Sequence, residues 1–362
     1  MNYTRFFAII GFLVTTLVTA QDKQISLEEI WNGTVRTEGM QALHSMNNGK
    51  QYSVLNLDRS TRTTSIDIYD YKTLEKDNTL LSSSDLSEIG AFFDYSFSDD
   101  ETKILLTTKS QPVFRRSTLG EYYIYDTNTK KVTKLSDDLV QEPTFSPDGS
   151  KVAYGFQNNL YVKDLASGAV KQLTFDGEKN SIINGITDWV YEEEFSFVRA
   201  FDWNADGDKI AFIRFDESEV PEFSMDFFGS GLYQTQQVFK YPKAGEANSK
   251  VSLHLYDLDK DKLSELKANK DYQDFYIPRL EWTNDANVLS VQYINRHQDE
   301  LDLWMFDTLN SSSKLVLVET DKAYVDVTFN LTFLKDNSFI WTSEKDGYNH
   351  IYHYDKNGKL IN

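Results

Sequence analysis

One spacing recurs along this chain and restricts its fold more than any other feature: an aromatic residue followed three positions later by aspartate, heading a short β-rich run. It occurs at Phe97-Ser-Asp-Asp100, Phe145-Ser-Pro-Asp148, Trp203-Asn-Ala-Asp206, Trp282-Thr-Asn-Asp285 and Phe333-Leu-Lys-Asp336. Each run is answered by a second that ends in an aromatic or lysine residue and aspartate. These endings are Ile68-Tyr-Asp70, Ile124-Tyr-Asp126, Leu160-Tyr-Val-Lys-Asp164, Leu255-Tyr-Asp257, Leu303-Trp-Met-Phe-Asp307 and Ile351-Tyr-His-Tyr-Asp355. Asp and Gly at the openings are turn chemistry. Runs such as Lys209-Ile-Ala-Phe-Ile213 have the length and composition of strands. Successive openings lie 48, 58, 79 and 51 residues apart. A period near 50 with about four strands per unit predicts an all-β fold of the β-propeller type. A β-sandwich would need five such offsets to coincide by chance.

Six blades are legible. The first lies around Gln51–Ser82, with Met46-Asn-Asn-Gly49 in place of the usual opening. The sixth begins at Phe333 and reaches a third strand at Ile351–Asp355, and the sequence ends at Asn362, where a fourth strand is due. This last blade reads as unfinished, the mark of a truncated chain. The only helix expected is a short one near Trp189–Phe195.

The first 20 residues differ from the rest. Arg5, the uncharged apolar run Phe6–Leu17 and Val18-Thr-Ala20 form a secretory signal cleaved after Ala20, with an uncleaved anchor as the alternative. Residues 21–45 are then a lead-in and residues 46–362 the propeller. With no cysteine, the chain has no disulfide, thiolate metal site or cysteine nucleophile. An exported protein of this kind fits a periplasm, or secretion from a bacterium, better than an animal cell surface. The net charge of −19, from 56 acidic and 37 basic residues, repels nucleic acid and attracts cations, a peptide ammonium among them. The five histidines form no metal motif; His350 and His353, three apart on a strand, face opposite ways. No cofactor is implied.

The longest gap between openings follows Asp188-Trp-Val-Tyr-Glu192-Glu193-Glu194-Phe195. Three adjacent carboxylates are ordinarily a solvated helix face. On one helical turn, however, Glu193 and Glu194 stand about 100° apart and can converge on a single cation. A primary ammonium, with three donors, suits such a pair.

This segment is very similar to the double-glutamate motif of the dipeptidyl peptidase IV family. The resemblance extends to Asn159-Leu-Tyr-Val-Lys163, Phe215-Asp-Glu-Ser-Glu-Val-Pro221, Tyr241-Pro-Lys-Ala-Gly245 and Arg115-Arg-Ser117 followed by Tyr122-Tyr-Ile-Tyr-Asp126, running from about Leu27 to the last residue. It implies an eight-bladed propeller over an α/β-hydrolase domain. Glu193 and Glu194 would hold a peptide's free amino terminus. Arg115, or its neighbour Arg116, would contact the carbonyl of the penultimate peptide unit, so that Xaa-Pro or Xaa-Ala dipeptides are released. The family also implies a homodimer, here through the insertion between Gly231 and Val251.

Such a serine peptidase needs Gly-x-Ser-x-Gly followed by Asp and His. None is present; Gly229-Ser-Gly231 lacks the frame. The catalytic residues are therefore expected beyond Asn362, and the 362-residue chain alone is expected to be inactive. The competing expectation is a non-catalytic propeller that binds peptides or proteins as a scaffold.

Overall fold

The computed structural model describes residues 24–35, 37, 39 and 41–362; the export signal read at residues 1–20 lies outside the described residues. Residues 44–362 form one compact unit. Its sheets follow the repeat read from the sequence. Four-stranded antiparallel blades span residues 43–82, 94–134, 141–172 and 275–320, each with its strands adjacent in chain order. The fourth blade, residues 182–266, has five strand segments, and the sixth has three, at residues 332–354. A separate two-stranded hairpin, Glu222–Phe227 with Thr235–Lys240, projects from the fourth.

The opening spacing marks the turn between a blade's first two strands. In the third blade, Ser146 Oγ donates to Asp148 Oδ1 at 2.6 Å and accepts from the Lys151 amide at 3.0 Å. The residue after the aspartate turns left-handed: Glu101, Gly149, Gly207 and Asn337 have φ of 58°, 64°, 66° and 62°. Burial tends to raise the Asp148 carboxyl, but hydrogen bonds from Ser146 and Ser150 hold it down at about 2. Neighbouring openings also touch. Asn47 Nδ2 donates to the Asp99 carbonyl at 2.5 Å, Asn204 Nδ2 to Ala286 at 3.1 Å, and Asn284 Nδ2 to Leu334 at 2.8 Å. The opening tryptophans reach back one blade, Trp203 to the Thr144 carbonyl and Trp282 to that of Asp202, both at 3.2 Å.

The closing aspartates stand at the turn from the third strand to the fourth. Asp126 accepts from the amides of Thr129 and Asn128 at 2.7 and 3.0 Å, and these bonds hold its carboxyl below the usual range. Asp70 is used in the same way, and Asp355 accepts from the amides two and four residues on. A short side chain that accepts from amides two and three residues on is what such a turn requires.

Blades pack face to face. Ile66 and Leu81 of the first meet Ile104 and Leu106 of the second. Leu105 and Ile124 of the second meet Val152 and Tyr154 of the third. One continuous cluster joins the fourth, fifth and sixth. Middle strands are thus covered on both faces, and Glu300–Asp307 buries six consecutive residues instead of alternating. Burying a large aliphatic or aromatic side chain contributes about 1.5–3 kcal/mol, so these interfaces supply most of the cohesion.

The helix near Trp189–Phe195 is present, but it is not the only one. Leu27–Trp31 is helical, begun by a capping box in which Ser26 Oγ accepts from the Glu29 amide and Glu29 returns to the Ser26 amide. A 3-10 turn occupies Ser83–Asp85. His350 and His353 do face apart: His350 Nδ1 lies 3.1 Å from Asp346, while His353 bonds to Ser338 Oγ.

Candidate functional site: a helix held between blades

The inner edge of the fourth blade is a split strand. Ile182–Asn184 and Phe201–Trp203 pair with opposite ends of the same long strand, Lys209–Asp216. The residues between leave the sheet and return. The exit needs Gly185, with φ +72° and Leu160 side-chain atoms 2.6 Å from where a Cβ would stand. The Gly185 carbonyl accepts from the Ala200 amide at 2.9 Å, closing the neck of the excursion.

At its far end is the helix Trp189–Glu194. Asp188 caps it, accepting from the Tyr191 amide at 3.0 Å and from Ser249 Oγ. Asp188 is fully buried, and that burial raises its carboxyl. A six-residue helix is too short to persist alone; packing fixes it. Tyr191 lies among Phe195, Phe215 and Tyr276, and its hydroxyl accepts from the Ile277 amide of the fifth blade at 2.9 Å. Arg279 caps the other end, donating to the Phe195 carbonyl at 2.7 Å while its guanidinium lies 3.9 Å from the Phe329 ring and 5.0 Å from that of Phe197. Burial lowers the Arg279 pKa to about 10.

The second blade supplies the opposing wall. Its long hairpin, Lys103–Pro112 with Thr118–Asp126, carries Arg115 and Arg116 at the tip, where the Val113 amide bonds to the Ser117 carbonyl at 2.9 Å. This tip is sewn to the helix. Glu192, wholly buried, accepts from the amides of Arg116 and Ser117 and from Ser117 Oγ, the last two at 2.9 and 2.6 Å. Arg116 Nε donates to the Glu192 carbonyl at 3.2 Å and its Nη2 to Ser196 Oγ at 3.1 Å. Arg115 Nε lies 3.0 and 2.7 Å from the two oxygens of Glu193.

The three glutamates therefore differ. Glu192 is a structural anchor. Glu193 is half-buried against Arg115. Glu194 is exposed and makes no hydrogen bond among the described residues, although its charge acts on the nearby Tyr324 hydroxyl. The two arginines also separate: Arg116 is spent on the helix, whereas the terminal nitrogens of the exposed Arg115 make no hydrogen bond among the described residues. The structure thus brings Arg115 against Glu193, while Glu194, next along the helix, makes no contact with either arginine among the hydrogen bonds and ion pairs of the described residues. Ser117, Arg279 and the anchoring part played by Glu192 went unread in the sequence. Only Ser117 had a local signal, as a small hydroxyl beside the arginine pair. No group of metal-ligating side chains occurs among the described residues. Gly229-Ser-Gly231 sits at the tip of the projecting hairpin, away from any strand–turn–helix elbow.

Residues 98–362 match the family model described as the N-terminal region of dipeptidyl peptidase IV. A putative dipeptidyl aminopeptidase of Schizosaccharomyces pombe is 33% identical over 303 residues, 78% of this chain and 38% of its own length. A probable dipeptidyl-aminopeptidase B of Aspergillus niger is 34% identical over 279 residues, 69% of this chain and 31% of its own. The crystal structure of Porphyromonas gingivalis dipeptidyl peptidase 4 superposes with a TM-score of 0.88 at 37% identity, covering 94% of this chain and 49% of that one. A Bacteroides ovatus structure, at 21% identity and a TM-score of 0.66, shares the fold. The chain spans about a third to a half of the length of these relatives.

Proposed function

The chain belongs to the dipeptidyl peptidase IV family as its N-terminal β-propeller region, and from that premise we propose that it is the substrate-binding part of an exported serine exopeptidase that removes amino-terminal dipeptides. The observation that carries the reading is the charged cluster at the seam, where Glu193 is paired with Arg115 and spare bonding capacity remains on each side. Glu193 and Glu194 offer carboxylate oxygens at adjacent positions, and Arg115 offers two free terminal nitrogens beside them. A peptide's protonated amino terminus has the donors for the first pair, and its first carbonyls have the acceptors for the second.

On this reading Glu192 and Arg116 fix the distance between anion pair and guanidinium. The ammonium docks on Glu193 and Glu194, and Arg115 holds a backbone carbonyl. The peptide can then advance only two residues before its next bond meets the serine of a hydrolase domain. Family resemblance supplies that serine and the preference for Pro or Ala; neither lies among these residues. Export rests on the charge-free run of residues 6–17 with its small-residue cleavage signal. No described helix is long and apolar enough to cross a membrane. A homodimer through the projecting hairpin belongs to the same reading. The hairpin starts at Glu222, earlier than the 231–251 segment suggested by sequence, and exposes Phe228, Leu232 and Tyr233 at its tip.

The test is kinetic, on the complete protein with one Xaa-Pro amide. Glu193→Gln and Glu194→Gln each remove a charge facing the ammonium. They should lower kcat/KM by roughly 30- to several-thousand-fold, the equivalent of about 2–5 kcal/mol for a lost buried charge partner. Acetylating the substrate's amine should have a like effect, and Arg115→Ala a smaller one, since it serves a neutral carbonyl. Unchanged rates in both Gln variants would end the assignment.

A further inference from the structure

A cavity of about 840 Å³ lies beyond the helix N-terminus, between the hairpin tip of the second blade, the third blade and the base of the projecting hairpin. Glu193, Glu194 and Arg115 are not in its wall, whereas Ser117, Asp188 and Trp189 are. Its apolar side is an aromatic group. Phe114 and Phe239 have ring centroids 5.6 Å apart, and Trp189 stands 6.5 Å from Phe239.

Into this wall is set Glu217, only 7% exposed, whose carboxyl accepts no hydrogen bond among the described residues. Lys240, the cation whose charge acts on it, does not pair with it. Lys240 Nζ is taken by the carbonyls of Ser218 and Val220, at 3.2 and 2.8 Å. Asp188, the other charged group acting on Glu217, is already satisfied by Tyr191 and Ser249. The wall also carries Asp138, Glu178 and Lys179, so acidic groups outnumber basic ones there by four to two. Burial, and then the charge of Asp188, push the Glu217 carboxyl up to about 7, with Lys240 acting in the opposite sense.

With no protein donor, this carboxyl has only what fills the cavity for a partner, and a charge held so deep is costly. This one borders a space within the usual ligand range of about 300–1,000 Å³. We propose that the cavity is a second binding site, for a small molecule or side chain with a ring-sized apolar body and a primary ammonium. The body lies against Phe114, Trp189 and Phe239, and the ammonium donates to Glu217. Because the double-glutamate site also attracts amines, the two must be separated. The site borders the same helix and hairpin tip, but it does not depend on the peptidase reading.

The probe is phenethylamine, titrated calorimetrically into the chain carrying Glu193→Gln and Glu194→Gln. Saturable binding is expected, and adding Glu217→Gln should weaken it about tenfold or more, as should N-acetylation of the probe. A second readout needs no change at Glu217. The amine stays protonated up to about pH 9, so affinity should climb between about pH 6 and pH 8 as Glu217 loses its proton, then level off. In the Glu217→Gln chain the profile should be flat. Absence of saturable binding, equal affinity with Gln at 217, or a flat profile in the parent would each overturn the proposal.

Discussion

Replacing Glu192 with alanine tests whether the site is held together by the seam between helix and hairpin tip. The carboxylate is wholly buried and serves three donors on the opposite blade, the amides of Arg116 and Ser117 and the Ser117 hydroxyl. A hydrogen bond to a charged group contributes about 1.5–3 kcal/mol. Three taken separately would overstate the total, because they share one acceptor group and water can enter the space. A local loss of about 3–5 kcal/mol is the scale set by breaking a buried charged interaction. Glutamine keeps one oxygen where both amides converge and loses the charge, so Glu192→Gln should cost only about 1–2 kcal/mol. The loss falls on a local opening, so the assay is hydrogen exchange of the peptide spanning residues 113–118. Exchange there should quicken roughly a hundred- to several-thousand-fold in Glu192→Ala, with blades away from the seam unchanged. If the alanine variant exchanged within threefold of the parent, the seam would not be what fixes Arg115 opposite Glu193.

Two further outcomes follow from the same geometry. Gly185→Ala forces a side chain into a left-handed position against Leu160 and should destabilise the chain by about 2–5 kcal/mol, read as a lower urea midpoint; a loss under about 0.5 kcal/mol would refute the close approach. Leu232→Glu with Tyr233→Glu, at fully exposed hairpin positions, should shift the complete protein from dimer to monomer in sedimentation while leaving its urea midpoint unchanged. A parent that sediments as a monomer would remove the dimer reading.

What could be read from the sequence was local. Asp148 and Asp126 act on amides two or three residues away, so the blade marks were visible as spacing. The helix over Trp189–Glu194 is present where the run of glutamates led the sequence reading to expect one. The capping box at Ser26 and Glu29 was equally local and was passed over. The seam had no such signal. Glu192 finds Ser117 75 positions away, and Arg115 finds Glu193 78 positions away. These contacts depend on how one blade is set beside another, which no spacing within a blade records. The hairpin start at Glu222 was missed for a related reason: its strands are mostly exposed and lack the buried face that gives a strand its pattern.

The ties of the short helix have a consequence for the order in which the protein comes off the ribosome. Its backward links go to Arg115–Ser117, and its forward links go to Ile277 and Arg279. During synthesis the hairpin tip of the second blade is finished early and waits some 75 residues for Glu192. The helix then waits about as long again for its caps on the fifth blade. A nascent chain halted before Ile277 therefore has the seam to Arg115–Ser117 but not the fifth-blade contacts that steady Tyr191 and the helix end at Phe195. The helix that carries both glutamates is thus fixed from both sides only when more than half of this propeller region has been made and assembled, so its geometry is completed late by the topology itself.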